Sequence, residues 1–333
     1  MRLIRGVPIA SALLLAAAAA LANDSTAEMA AGGLVLKQSG EIDMVSEDLY
    51  VSAAQIRVRY VFRNRSARDV RTTVAFPMPD RDLLAEGESD SAWPSDFHTI
   101  VDGSPVRMAV ERKAFARGVD QTGLLARLNI PVAPPDDEST GSLRDAIARL
   151  PRAEQERLAA LGLIEPNDFA TGERQITPAW TVRETWHWEQ VFPAGRDLAV
   201  AHRYTPGAGG SVTSILTIPD LRDSEAAREM IGRYCVDAAF LAAVDRLRAR
   251  TGTENATVTD TWLSYILTTG GNWRAPIGEF RLIVDKGDPR NLVSFCGEGV
   301  RRIGPTQFEM RRRNWRPDRD LRVLILTPQR FDN

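Results

Sequence analysis

The chain has 333 residues, a formal net charge of −2, and 44% hydrophobic and 26% charged residues. Those are the proportions of an ordinary folded protein and exclude a disordered chain, while the near-neutral balance leaves no electrostatic case for nucleic acid. The length is ample for a hydrophobic core and favours two domains over one.

The first segment reads as an export signal. Arg2 and Arg5 form a positive start, and Val7 to Leu21 is apolar apart from Pro8 and Ser11. It ends in Ala20-Leu21-Ala22, the small-x-small pattern cut by signal peptidase. Cleavage after Ala22 is expected to leave a mature chain from Asn23, in the periplasm. The apolar run is short for a membrane anchor, and no Cys follows it for lipid attachment. No later run is long enough to span a bilayer, so no transmembrane segment is expected after signal removal.

The mature chain opens with a small, polar stretch and a first strand at Gly32-Gly33-Leu34-Val35-Leu36. Leu49 to Met78 carries the clearest β signal. Ile56, Val58, Tyr60 and Phe62 alternate with Arg57, Arg59, Val61 and Arg63, the period of a strand with one buried face. Asn64 to Asp69 reads as the turn of a hairpin, Val70 to Phe76 as its return strand, and Pro77 and Pro79 as its end. Phe97–Val101 and Val106–Val110 flank Asp102-Gly103, a strong hairpin signal.

Pro131, Pro134 and Pro135 with Asp136-Asp137 read as an exposed connection. Ser142 to Leu161 is helical, split in two by Pro151. Strands return at Trp180. Val182–Phe192 and Leu198–Tyr204 flank the turn residues Pro193 to Asp197 and read as a third hairpin, followed by a strand over Val212–Ile218. Residues 223–250 are helical, with Gly252 just beyond the end. From Ala256 to Leu326 the chain is β again: Thr257–Leu267, Phe280–Val284, Leu292–Phe295, Thr306–Arg311 and Leu321–Leu326.

The expected fold is therefore mainly β (α+β), with antiparallel β-sandwich domains and inserted helices. Residues 1–22 are the signal, 23–120 an N-terminal β-sandwich domain, 121–178 a linker and helical insertion, and 179–333 a C-terminal β-rich domain. Val58–Pro79 and His187–Pro206 share a faint echo, each reading strand, turn, strand and then an aromatic–proline phrase.

Several phrases recur in one bacterial family. They include Asn23-Asp24-Ser25-Thr26-Ala27-Glu28, Ser46-Glu47-Asp48-Leu49-Tyr50, Phe62-Arg63-Asn64 and Phe76-Pro77-Met78-Pro79-Asp80. The later half adds Tyr265-Ile266-Leu267-Thr268-Thr269-Gly270, Asn272-Trp273, Val284-Asp285-Lys286-Gly287 and Leu292-Val293-Ser294-Phe295-Cys296-Gly297. Through them the chain resembles, over essentially its whole mature length, the exported proteins known as domain of unknown function 4424. The resemblance implies no activity. Residues 55–117 are also faintly similar to the VIT domain, which implies a β-sandwich. The Asp-x-Ser-x-Ser signature of that domain's usual von Willebrand A neighbour is not found.

Cys235 and Cys296 are the two cysteines. In an exported chain they read first as a disulfide, second as buried thiols and third as a metal site, for which the spacing is poor. His187 with Glu189 is the candidate for proton transfer, and alternation puts both on the face opposite Trp186 and Trp188. His202 is expected to face the other side of the sheet from His187. Six of the seven tryptophans fall in or beside strands of the C-terminal half, where core packing outweighs sugar stacking. The C-terminal arginines, Arg311 and Arg313 among them, form a candidate anionic-partner patch, set against a solvated face of ion pairs. No nucleophile elbow, phosphate loop or dinucleotide fingerprint is present. The leading reading is a non-enzymatic binding or cell-envelope-associated module, with His187, Glu189, Arg311 and Arg313 as its candidate surface and a protein or glycan of the envelope as partner. No cofactor and no metal are expected. The alternative is a periplasmic hydrolase acting on cell wall or glycan through paired carboxylates.

Overall fold

The computed structural model describes residues 24–30, 33–84, 94–134, 140–168, 174–251 and 256–330. The segment read as a signal peptide and its expected junction at Ala22, Pro135 to Asp137 of the exposed connection, and Gly252 lie outside the described residues.

The fold is mainly β, built on antiparallel sheets. β1 (Ser25–Ala30) falls in the stretch read as polar, and it pairs with β2 (Gly33–Lys37). β3 (Ile42–Ser52) turns at Ser52–Gln55 and pairs with β4 (Ile56–Asn64). Alternation holds on β4: Ile56, Val58, Tyr60 and Phe62 are buried, while Arg57 and Arg59 are exposed.

The expected first hairpin does not form. β5 (Val70–Pro77) leaves the sheet of β4 and joins the opposite one. The cause is Asn64, buried at the corner. Its amide donates to the carbonyls of Arg68 (2.7 Å) and Phe192 (2.8 Å), and its Oδ1 accepts from Ser66 N (2.9 Å). Bonds that would continue a hairpin ladder are thus spent turning the chain between layers.

β6 (Arg81–Asp82) is short. β7 (Ser95–Val101) and β8 (Ser104–Val106) form the expected hairpin around Asp102-Gly103. Both turn residues have positive φ, 46° and 82°, the geometry that suits the twist of two strands joined by a two-residue loop. The second arm stops at Val106, and β9 (Ala109–Ala116) belongs to the other sheet, where β10 (Val119–Asp120) pairs with it. Helices α1 (Thr122–Arg127), α2 (Gly141–Ala148) and α3 (Arg152–Ala160) follow, with the break at Pro151, and then the small hairpin β11 (Ile164–Asp168) and β12 (Arg174–Pro178).

The expected third hairpin is also an arch. β13 (Thr181–Phe192) lies between β9 and β5, whereas β14 (Asp197–Thr205) lies between β4 and β7 in the facing sheet. The sequence echo therefore marks two arches packed together: β5 pairs with β13 and β4 pairs with β14.

β15 (Gly209–Ser211) is followed by two 3₁₀ turns, Ile215–Thr217 and Pro219–Leu221, in place of the strand expected over Val212–Ile218. Ser214 Oγ accepts from Leu216 N and starts the first turn, and Pro219 starts the second. The helical segment divides into α4 (Glu225–Tyr234) and α5 (Ala238–Thr251). Cys235 ends α4 in the left-handed region at φ 52°, and Asp237 Oδ1 then accepts from Phe240 N (2.7 Å) to cap α5. The chain closes with β16 (Ala256–Tyr265), β17 (Ile277–Asp285), β18 (Leu292–Phe295), β19 (Arg301–Arg302), β20 (Gln307–Trp315) and β21 (Leu321–Arg330).

The eight-stranded sheet runs β19-β20-β17-β3-β4-β14-β7-β8, with β17 parallel to β3. The facing sheet runs β10-β9-β13-β5-β1-β2, with β6 on β13, and a third runs β15-β16-β21-β18. Strands from residues 23–120 and 179–333 thus share both large sheets.

The main core fills the space between the layers with Tyr60, Phe62, Phe76, Phe192, Trp273 and Phe280. Each such side chain contributes about 1.5–3 kcal/mol by leaving water. β21 is buried on both faces. Val323 and Ile325 enter the main core, and Leu324 and Leu326 enter a second one with Tyr234 and Val244 of the helices. α1–α3 cover the overhanging end of the β9/β13 sheet through Leu125, Leu143, Ile147 and Leu158. That burial spends the apolar stripe of the insertion on packing.

Candidate functional site

The outer face of the eight-stranded sheet is where charge collects. Two rows of side chains cross it, fixed by strand register. One runs Arg311, Arg281, Asp48, Arg59, Ala201, Ile100, Pro105. The next runs Arg301, Glu309, Ile283, Tyr50, Arg57, Arg203, His98. From Arg281 and Ile283 of β17 onward to Pro105 and His98, the two rows line a concavity of about 660 Å³, within the usual range for small-molecule sites.

The two ends of these rows differ. At the β20 end the charges are internally matched. Glu309 accepts from Arg281 (2.9 Å), Arg301 (2.6 Å) and Arg311 (2.9 Å), and Arg281 also reaches Asp48 (3.2 Å). The guanidiniums of Arg311, Arg281 and Arg301 hold the Glu309 carboxyl down to about 2. A depressed carboxylate adds stability above its ordinary value of 4.5, and that stability is lost as pH falls from there toward 2. Glu309→Gln is expected to cost about 1–2 kcal/mol at pH 7. Urea midpoints at pH 7 and pH 3 check this: the gap to wild type should narrow at pH 3.

At the β4/β14 end the charges are unmatched. Arg57 and Arg203 stand directly opposite each other, with Arg59 two residues along the same face. All three are exposed. Among the described residues none has a carboxylate partner, and Asp48 is engaged by Arg281. Arg57 is held over the Tyr50 ring at 4.4 Å from its centroid, and Tyr50 Oη donates to Asp285 Oδ2 (3.0 Å). The guanidinium is thereby positioned without being neutralised. Like charges directly opposite on neighbouring strands destabilise a sheet. Beside β14 the pairing with β7 is irregular between Arg203 and Thr205, as is common next to binding sites.

The candidate residues from sequence separate. His187 is half-buried and points away from the core on the outer face of the facing sheet. Glu189 shares that face and accepts from Thr73 Oγ1. Arg311 belongs to the arginine-rich face described above. Arg313 shares it near the end of β20, 3.9 Å from Glu279. The structure therefore brings Arg311 and Arg313 onto one face and His187 and Glu189 onto another, on opposite outer sides of the sandwich. Trp188 is buried and Trp186 half-buried, stacked on Phe97 at 4.9 Å, so the tryptophans serve the core side of β13. His202 is fully buried, with Nε2 3.1 Å from Asp24 Oδ1 and Nδ1 2.9 Å from Thr99 Oγ1. Cys235 and Cys296 form a disulfide, with Cα atoms 5.1 Å apart.

Arg57, Arg59 and Arg203 were not singled out from sequence. The Arg-x-Arg alternation on β4 was visible, but its meaning depends on β14 lying beside β4, which the hairpin reading hid.

Residues 22–324 match the family described as Domain of unknown function (DUF4424). The chain belongs to the DUF4424 family. Among curated proteins none matches it. Among solved structures, this DUF4424 chain is similar to the crystal structure of a "putative nutrient binding protein" from Legionella pneumophila, at 15% identity and a TM-score of 0.44, over 92% of this chain and 70% of that one. Among the described residues of the DUF4424 chain, no helix is long and apolar enough to cross a membrane.

Proposed function

We propose that this DUF4424 protein is an exported, non-enzymatic binding module of the cell envelope, and that it binds an anionic partner on the outer face of its eight-stranded sheet. The observation that carries this reading is the unmatched cluster Arg57, Arg59 and Arg203. Such a cluster costs folding stability, and an arriving anion removes that cost. The export signal and the disulfide support a periplasmic location.

The hydrolase alternative needs a carboxyl raised toward neutrality beside a cleft. Among the described residues, Asp24 and Asp260 are the carboxyls that burial pushes up. Neither lines the concavity.

The test is thermal unfolding at constant ionic strength with and without pyrophosphate. Wild type is expected to gain several degrees. The triple variant Arg57→Gln, Arg59→Gln, Arg203→Gln is expected to start about 0.5–1 kcal/mol more stable, from relief of like-charge repulsion, and to gain nothing from the anion. Equal gains in both proteins would move the binding surface elsewhere.

A further inference from the structure

Resting on that reading of the face, we infer that its ligand is a phosphate monoester carrying an apolar chain, the phosphate held by Arg57, Arg59 and Arg203 and the chain laid over Ala201, Ile100 and Pro105. Arg57 and Arg203 stand opposite each other on β4 and β14, and Arg59 lies two residues along the same face. A tetrahedral dianion offers three oxygens to them, whereas a carboxylate offers two. From Arg59 the same cross-strand row continues through Ala201 of β14, Ile100 of β7 and Pro105 of β8. At roughly 4.8 Å per strand the apolar part of this row is about 10 Å long. Ile100 is 44% exposed, an apolar surface left open immediately beside the unmatched charge.

The hydroxyls and the carboxylate in the lining are already engaged within the fold: Tyr50 Oη donates to Asp285, Thr99 Oγ1 is bonded to His202 and Met108, and Asp48 is paired with Arg281. Amide and hydroxyl groups are what a sugar ring would require for its hydroxyls. Guanidiniums at one end and aliphatic side chains at the other fit an amphiphilic anion instead. The concavity, rather than a convex or flat surface, fits a single molecule in place of a bilayer surface.

Isothermal titration with dodecyl phosphate, dodecanoate, inorganic phosphate and dodecyl maltoside, each below its micelle concentration, tests this. Dodecyl phosphate is expected to bind about a hundredfold more tightly than inorganic phosphate, from burial of a few methylenes, and about tenfold more tightly than dodecanoate. Dodecyl maltoside is expected to show no saturable binding. Arg203→Gln should weaken dodecyl phosphate about tenfold. Ile100→Ser should weaken it while leaving inorganic phosphate unchanged. Both changed side chains are exposed, and unfolding midpoints confirm that the variants are folded. Equal affinity for dodecyl phosphate and inorganic phosphate, with both lost in Arg203→Gln, would overturn the amphiphile and keep the anion-binding face. Dodecanoate binding as tightly as dodecyl phosphate would overturn the phosphate head. Binding of dodecyl phosphate that Arg203→Gln leaves intact, or no binding of any anion, would overturn the face itself.

Discussion

Replacing His202 by alanine is expected to lower folding stability by about 3–5 kcal/mol, the cost of leaving one partner of a buried pair alone. Asp24 and His202 have fully buried side chains and lie 3.1 Å apart. Burial raises the Asp24 carboxyl, and His202 opposes that rise by charge and hydrogen bonding. The pair holds the start of β1 inside the core. Trp273 Nε1 donates to the Asp24 carbonyl (2.7 Å), and Asn272 Nδ2 donates to Ser25 Oγ (3.0 Å). Removing the imidazole leaves a carboxyl with little compensation. A raised carboxyl favours the folded state when protonated, and that advantage disappears as pH rises through its folded value. The loss in His202→Ala should therefore be larger at pH 7 than at pH 4. Asp24→Leu with His202→Leu together should cost less than the sum of the single changes, because neither member of the pair is then left buried without the other. Denaturant midpoints for wild type, His202→Ala, the two single leucine variants and the double variant, at both pH values, measure this. A pH-independent loss below about 1 kcal/mol would show that the pair carries little.

Removing the disulfide is expected to cost about 2–4 kcal/mol. Cys235 and Cys296 are separated by 61 residues in sequence, and loop-closure entropy for such a span sets a ceiling of about 4 kcal/mol. The bond ties the end of α4 to the end of β18. Ser294 Oγ also donates to the Tyr234 carbonyl (2.9 Å) at the same place, so local packing should survive reduction. The effect should therefore fall mainly on the unfolded chain. Cys235→Ser and the double serine variant should be destabilised alike, with unchanged circular dichroism in native buffer. Equal midpoints for oxidised and reduced wild type would show that the bond contributes nothing.

Much of the strand content was legible because alternation is a local signal. β4 and β18 follow the sequence closely, as does the turn at Asp102-Gly103, although its return arm is Ser104–Val106 and not Val106–Val110. Partner choice was less legible. Asn64 to Asp69 and Pro193 to Asp197 are polar turns that could join two strands of one sheet or carry the chain between sheets. What decides is the buried Asn64 amide bonding the carbonyl of Phe192, a contact across 128 residues. The same long-range fact sets Arg203 beside Arg57. The candidate surface was therefore half visible: Arg311 and Arg313 were read from local charge density, while the unmatched arginines needed the topology. Glu309 also shows why density alone misleads, since it satisfies the arginines of the C-terminal cluster nearest it.

Phenylglyoxal footprinting of arginines, read by mass spectrometry with and without saturating dodecyl phosphate, tests the binding face most directly. Labelling of Arg57, Arg59 and Arg203 is expected to fall about fivefold or more on binding, as bidentate contacts occupy their guanidiniums. Labelling of Arg68, 77% exposed in its side chain on a turn between the sheets, should stay unchanged. Protection spread evenly over all exposed arginines, or confined to residues outside the Arg57, Arg59 and Arg203 cluster, would contradict the assignment of this face.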